Sequence, residues 1–155
     1  NIIANNVILH CGDDGIDIKL IREFPNEVSS GNACTDAGGG VHTISGNTIR
    51  EISDTGIAVE ANQIEIKENE ISNTADECIK MDDGKDGGSR SHISKNSCDK
   101  NFGEKSAYRI EGNFNIIANN VAKNVAEFEP GFELKGDSNT LVENESDGVG
   151  GIDDG

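Results

Sequence analysis

The chain has 155 residues, enough for one domain with a continuous core, and carries 29 acidic against 13 basic residues for a formal charge of −16. That balance excludes attraction to nucleic acid or anionic membranes, and no apolar run approaches the roughly 18 residues that a membrane-spanning helix needs. With aromatics at 4%, no tryptophan, and 19 glycines against 2 prolines, the core must be built from stacked aliphatic side chains rather than large rings.

The chain opens on a motif, Ile-x-x-Asn-x-apolar, that recurs along its length. It reads Ile3/Asn6/Ile8, Ile44/Asn47/Ile49, Ile66/Asn69/Ile71 and Ile93/Asn96/Cys98, then weakens to Ile117/Asn120/Ala122 and Leu141/Asn144/Ser146. The asparagines step by 41, 22, 27, 24 and 24 residues, which beyond the first step is a solenoid period. A second element follows each asparagine, a small residue and then apolar–x–apolar. It reads Gly15-Ile16-Asp17-Ile18, Gly56-Ile57-Ala58-Val59, Cys78-Ile79-Lys80-Met81, Ala107-Tyr108-Arg109-Ile110 and Gly131-Phe132-Glu133-Leu134. Its first apolar residue lies 10 positions after the asparagine in three coils and 12 in the next two.

Alternation of this kind makes strands, and strands so short bury no face alone. Coiling them sets each strand about 4.8 Å from its copy in the next coil, so that backbone groups pair up and down the stack. The fold expected is all-β: a right-handed parallel β-helix of about six coils, a single domain over 1–155. Ile3, Ile44, Ile66, Ile93, Ile117 and Leu141 form its aliphatic column. The asparagines sit at a corner that needs left-handed backbone and bond to their copies above and below, an internal ladder with a structural role. A leucine-rich repeat is excluded, because its Leu-x-x-Leu-x-Leu signature is missing and no coil carries a helical pattern.

Two insertions break the period, over 20–40 and 83–90, and projecting loops of a rigid solenoid are where binding concentrates. Cys11 and Cys34 are placed to staple the larger one, whereas Cys98 reads as core. A Cys78–Cys98 bond is not expected, because Cys78 precedes inward Ile79 and should point away. An even cysteine count favours an oxidising compartment, and the scattered histidines His10, His42 and His92 exclude a zinc site. Asn144 heads a glycosylation sequon but belongs to the ladder, so it is expected to stay unmodified. The pattern is already running at Asn1-Ile2-Ile3, which suggests a segment of a longer protein, with coils that stack on a flanking domain or end to end.

The outward positions of the second element form two columns, Asp17, Ala58, Lys80, Arg109, Glu133 and Lys19, Glu60, Asp82, Glu111, Lys135. Neighbours of opposite sign suit weak ion pairs. The turns that enter these strands are acidic. Asp13, Asp14 and Asp17 lie close to Lys19 in the first coil, and Asp76, Glu77, Asp82 and Asp83 surround Lys80 two coils later. Carboxylates on a rigid face are what calcium or general acid–base chemistry requires. Asp76, Glu77, Asp82 and Asp83 are the candidate Ca²⁺ ligands. Asp13, Asp14, Lys80 and Arg109 are the candidate catalytic groups, and Asp17, Lys19, Glu60 and Glu111 the candidate saccharide contacts.

In its repeat the whole chain resembles the pectin-lyase-like superfamily of parallel β-helices, which includes polysaccharide lyases, glycoside hydrolases, uronan epimerases and non-catalytic relatives. Gly12-Asp13-Asp14-Gly15-Ile16-Asp17-Ile18-Lys19 is similar to the Gly-Asp-Asp-Cys-Ile-Ala-Ile-Lys stretch of polygalacturonases, and that resemblance implies Asp13 and Asp14 as general acid and water-activating base. The family's Asn-Thr-Asp motif would lie before residue 1, no Arg-Ile-Lys follows, and Gly40-Val41-His42 only echoes its Gly-His-Gly. The lyase members imply Ca²⁺ held by Asp and Glu, with Lys or Arg as base.

The function expected is that of an extracellular or cell-surface, carbohydrate-facing module that binds acidic polysaccharide or serves as surface structure. Two alternatives stand: a lyase, hydrolase or epimerase acting on acidic polysaccharide, and a purely structural segment of an adhesin, fibre or surface layer. Tyr108, Phe132 and Phe128 fall at inward positions. Few rings remain for sugar stacking, and charged sugars bridged by Ca²⁺ become the favoured ligands.

Overall fold

The short alternating segments form strands throughout. A computed structural model describes residues 2–19, 36–38, 42–82, 88–100, 103, 105–126, 129–147 and 152–153, with 19, 36–38 and 152–153 taken as backbone alone. The first coil holds β1 (Ile2–Ala4), β2 (Val7–Leu9) and β3 (Ile16–Lys19), and β4 (Asp36–Gly38) follows it. Next come β5 (Thr43–Ser45), β6 (Thr48–Ile52) and β7 (Ile57–Glu60), then β8 (Glu65–Lys67), β9 (Glu70–Thr74) and β10 (Ile79–Met81). The second half adds β11 (His92–Ser94), β12 (Ser97–Asp99), β13 (Tyr108–Glu111), β14 (Ile116–Ala118), β15 (Val121–Lys123) and β16 (Phe132–Lys135). The last strands are β17 (Thr140–Val142), β18 (Glu145–Ser146) and β19 (Ile152–Asp153).

Apart from the added β4, every third strand joins the same sheet. One sheet runs β1-β5-β8-β11-β14-β17, a second runs β2-β6-β9-β12-β15-β18, and a third runs β4-β3-β7-β10-β13-β16-β19. All pairings are parallel and keep the motif in register, as in Ile3↔Ile44↔Ile66↔Ile93↔Ile117↔Leu141. The fold is thus an all-β parallel β-helix, without a helix among the described residues. About four turns are complete among the described residues, rather than the six expected. Part of the larger insertion also departs from expectation: β4 adds a strand beside β3.

The asparagines form the expected ladder. Each side-chain oxygen accepts from the amide of the preceding asparagine, from Asn6→Asn47 at 2.9 Å through Asn47→Asn69 and Asn69→Asn96, both 2.9 Å, to Asn96→Asn120 and Asn120→Asn144, both 3.0 Å. The same oxygens accept from backbone N–H groups, and each Nδ2 also donates to a carbonyl of the previous coil, such as Asn96 to Ile66 O at 3.0 Å. The left-handed residues are their predecessors Asn5, Gly46, Glu68, Lys95, Asn119 and Glu143. The bend is made one position earlier than expected, which frees each asparagine to aim inward. Asn144 Nδ2 donates to Ile117 O at 2.7 Å, an engagement that suits an unmodified sequon.

The disulfide reverses an expectation. Cys78 and Cys98 are bonded, with both side chains buried. The small residue before each third-sheet strand faces the inward position of the second sheet one coil on. An added Cβ on Gly15 would lie 2.8 Å from Ile49 Cγ2, and one on Gly56 would lie 2.6 Å from Ile71 Cγ2. Gly opposes Ile twice; at the next step Cys78 opposes Cys98. Alternation was extended one residue too far, through a turn where it does not hold. Cys11 is also disulfide-bonded, while Cys34 lies outside the described residues.

Ring size follows the same complementarity. Where the second-sheet column shrinks from Ile71 to Cys98 and Ala122, the third-sheet column grows from Ile79 to Tyr108 and Phe132. The two rings are buried as expected and stack with centroids 4.7 Å apart and planes 7° from parallel. The Tyr108 hydroxyl lies 3.0 Å from both the Asn96 and the Val121 carbonyl oxygens. Phe128 lies outside the described residues.

Candidate functional site

The turns between the second and third strands superpose coil on coil because their backbones bond to one another. Ser53 N–H donates to Cys11 O at 3.0 Å, Gly15 N–H to Thr55 O at 2.9 Å and Asp76 N–H to Asp54 O at 3.2 Å. Stacking the backbones stacks their side chains: Asp13, Asp54 and Asp76 are seven residues beyond Asn6, Asn47 and Asn69. One carboxylate oxygen from each of Asp13, Asp14 and Asp54 lies within 4.8 Å of the others, and all three residues are half-buried. Asp14 Oδ1 accepts from Thr55 N–H at 3.2 Å, and the Thr55 hydroxyl lies 3.3 Å from Glu77 Oε2.

This crowding changes the chemistry. Burial, then the charges of Asp54 and Asp17, push Asp14 up to about 6, against the opposing hydrogen bond from Thr55 and with a further push from Asp13. Burial and the charges of Asp76, Asp13 and Glu77 raise Asp54 as well. A divalent ion with oxygens at about 2.3–2.6 Å brings its opposite ligands to about 5 Å apart, so the three oxygens have a spacing that such an ion can span. All three are hard carboxylate donors, the chemistry that calcium takes. Beside this corner runs a groove of about 680 Å³ lined by His10, Cys11, Gly12, Glu51, Ile52, Ser53, Asn73 and Ala75. His10 Nδ1 and Glu51 Oε2 face each other there at 2.7 Å.

The next coils meet their acids with cations, one of them internal. Lys100 is fully buried, and its ammonium donates to the backbone oxygens of Thr74 and Asp76. Burial lowers its pKa, opposed by the charges of Glu77, Asp76 and Glu129. Arg109 donates to Glu111 Oε1 from Nε at 2.8 Å and lies 3.7 Å from buried Glu77. Burial alone would lower the Arg109 value, but Glu111, with Glu133 and Glu77, more than offsets it and leaves it raised.

The residues singled out from sequence divide accordingly. Asp13 and Asp14 come together, joined by Asp54. Asp76 and Glu77 continue the same stack, but Asp82 lies at the far end of the strand, 3.4 Å from Lys80, and Asp83 lies outside the described residues. Lys80 and Arg109 are adjacent on the outer face, with Arg109 held by carboxylates. Glu60 is exposed, and Glu111 is shared between Arg109 and Lys135. Asp17 faces outward by register yet is buried, and the Lys19 side chain lies outside the described residues. His42 is buried at a different corner, the entry to β5.

The chain matches no protein-family model, no curated protein and no solved structure.

Asp54 and Lys100 had escaped the sequence reading. Asp54 was findable by counting seven from each ladder asparagine. Lys100 was not: its counterparts His10, Glu51, Asn73 and Asn124, four after their own asparagines, are polar and all four are exposed or half-buried. Gly103 covers it closely: an added Cβ there would lie 2.9 Å from the Lys100 ammonium.

Proposed function

We propose that this chain is an extracellular or cell-surface β-helix module of the pectin-lyase-like kind, which binds acidic polysaccharide through a calcium ion held by Asp13, Asp14 and Asp54. The carrying observation is the approach of three carboxylates, from two coils, to within 4.8 Å beside an open groove. Calcium takes six to eight oxygens, so three carboxylates leave positions for water and for a saccharide carboxylate. A cation also answers the charge problem, since a chain of −16 repels a polyanion unless the local sign is inverted. The disulfides support an oxidising compartment.

Retention on immobilised polyuronates, with calcium or with chelator, tests the proposal. Native protein should bind only with calcium, and the Asp14→Asn/Asp54→Asn variant should not bind; equal retention with chelator would refute calcium bridging.

A catalytic reading is favoured by one observation, the raised Asp14, which at about 6 keeps a proton in mildly acidic solution to donate to a glycosidic oxygen. New reducing ends from polyuronates, lost in Asp14→Asn, would establish a hydrolase. Unsaturated ends detected by ultraviolet absorbance would establish a lyase.

A further inference from the structure

Phe114 occupies the corner between β13 and β14 with φ of 59° and is 57% exposed. Its counterparts in neighbouring coils, Gln63, Arg90 and Ser138, share the left-handed backbone but are polar. Left-handed backbone disfavours a bulky side chain, and water disfavours an exposed phenyl ring, so this corner carries two costs that a polar residue would avoid. Two residues on, Ile116 is 46% exposed on the outer face of β14, and Val142 on the adjoining strand is 42% exposed. The remaining rings described, Tyr108 and Phe132, are buried.

Arg90 stacks beside Phe114. Arg90 N–H donates to Asn113 O at 3.0 Å and Phe114 N–H to Asp137 O at 3.1 Å, which holds the corners one coil apart, about 4.8 Å. His10, Arg50, Lys67, Lys80, Arg109 and Lys135 each lie within ion-pair distance of a carboxylate. Arg90 is exposed and has no ion-pair partner among the described residues, in a chain with more than twice as many acids as bases.

We infer that Arg90, Phe114 and Ile116 form a second, calcium-independent contact for an acidic saccharide: the phenyl ring and Ile116 receive the C–H face of one pyranose, and the Arg90 guanidinium pairs with its carboxylate. The inference rests on the acidic-saccharide reading above for its ligand class, but uses none of the calcium-corner residues. Size favours a sugar over a protein. A stable protein interface covers about 800 Å² on each side, whereas the apolar patch is a few side chains wide. Beyond it the same face turns polar, with Thr43, Ser45 and the Glu65–Lys67 ion pair at 2.9 Å. An exposed guanidinium with no ion-pair partner among the described residues selects an anionic group over a neutral one.

The test is binding of a panel of oligouronates and their methyl esters in chelator, by nuclear magnetic resonance titration. The proteins are native, Phe114→Ala and Arg90→Gln, with folding checked by circular dichroism. Native protein should bind, Phe114→Ala roughly tenfold more weakly, and Arg90→Gln should lose its preference for the free acid over the ester. The inference is overturned by absence of binding in chelator across the panel, by Phe114→Ala binding like native, or by a concentration-dependent dimer that Phe114→Ala abolishes. Binding in chelator without any gain from calcium would refute the calcium corner and leave this contact standing; the reverse would do the opposite.

Discussion

Thr55 N–H donates to Asp14 Oδ1 at 3.2 Å, so a backbone group of one coil fixes a carboxylate of the coil before it. The register that builds the solenoid therefore also builds the acidic corner. Neither the stack nor the spacing of Asp13, Asp14 and Asp54 can change without the other.

Asp14 makes metal-free stability depend on pH. Its value rises from 3.8 to about 6 on folding, so the folded state holds the proton more tightly than the unfolded chain does. The associated stability is fully present below pH 3.8 and is lost as pH rises through about 6. Asp54 acts in the same direction. In chelator, Asp14→Asn should therefore be more stable than native protein at pH 7, by about 1–2 kcal/mol after allowance for solvent screening. Thermal unfolding from pH 4 to pH 7.5 checks this; a less stable variant at pH 7 would contradict the assignment.

The Cys78–Cys98 disulfide closes a loop with a sequence separation of 20 between two coils. Restricting the unfolded chain over that span contributes about 3 kcal/mol. Cys78→Ala/Cys98→Ala should lose that amount in urea unfolding while retaining its β spectrum, since small residues already face each other at Gly131 and Ser146. Unchanged stability would show the bond to be incidental.

Ladder position sets the cost of losing an asparagine. Asn96→Ala strips the acceptor from Asn69 N and Nδ2, the side-chain donor from Ile66 O and one of two donors from Asn120 Oδ1, all in or against the core. Unsatisfied buried groups cost about 1–3 kcal/mol each, so the expected loss is 3 kcal/mol or more. Asn6 is exposed at the end of the ladder, and Asn6→Ala should cost about 1 kcal/mol or less. Equal losses in denaturant unfolding would contradict a continuous ladder.

Lys100→Met should reveal the internal cation. The substitution keeps much of the buried stem but removes the ammonium from Thr74 O and Asp76 O, leaving the Thr74 hydroxyl as the other donor to Asp76 O, and removes one of the positive charges near Asp76 and Glu77. A loss of about 2–3 kcal/mol is expected at pH 7. If Lys100→Met unfolds with native stability, the ammonium is not what holds this turn.

The fold was legible because a solenoid repeats its instructions. Ile44 lies over Ile3 and Ile66 over Ile44, so a pattern weak in any one coil gains force by recurrence. Cys78–Cys98 was misread because the period of two that governs Ile79 and Met81 stops at the turn, where the residue before the strand points inward. At the site, Asp13 and Asp14 were visible as neighbours in sequence, whereas Asp54 joins them only across coils. Lys80 with Asp82 and Arg109 with Glu111 follow strand alternation directly. Phe114 was hidden because its exposure is set by the left-handed corner backbone, which no hydrophobic period records.

The central claim, that Asp13, Asp14 and Asp54 hold calcium for an acidic saccharide, is met most directly by calorimetric titration of calcium into native protein and Asp14→Asn/Asp54→Asn, each with and without an oligouronate. The account expects one calcium site in the native chain, tightened by the saccharide and lost in the variant. Calcium heats that are absent from native protein, or identical in the variant, would contradict it.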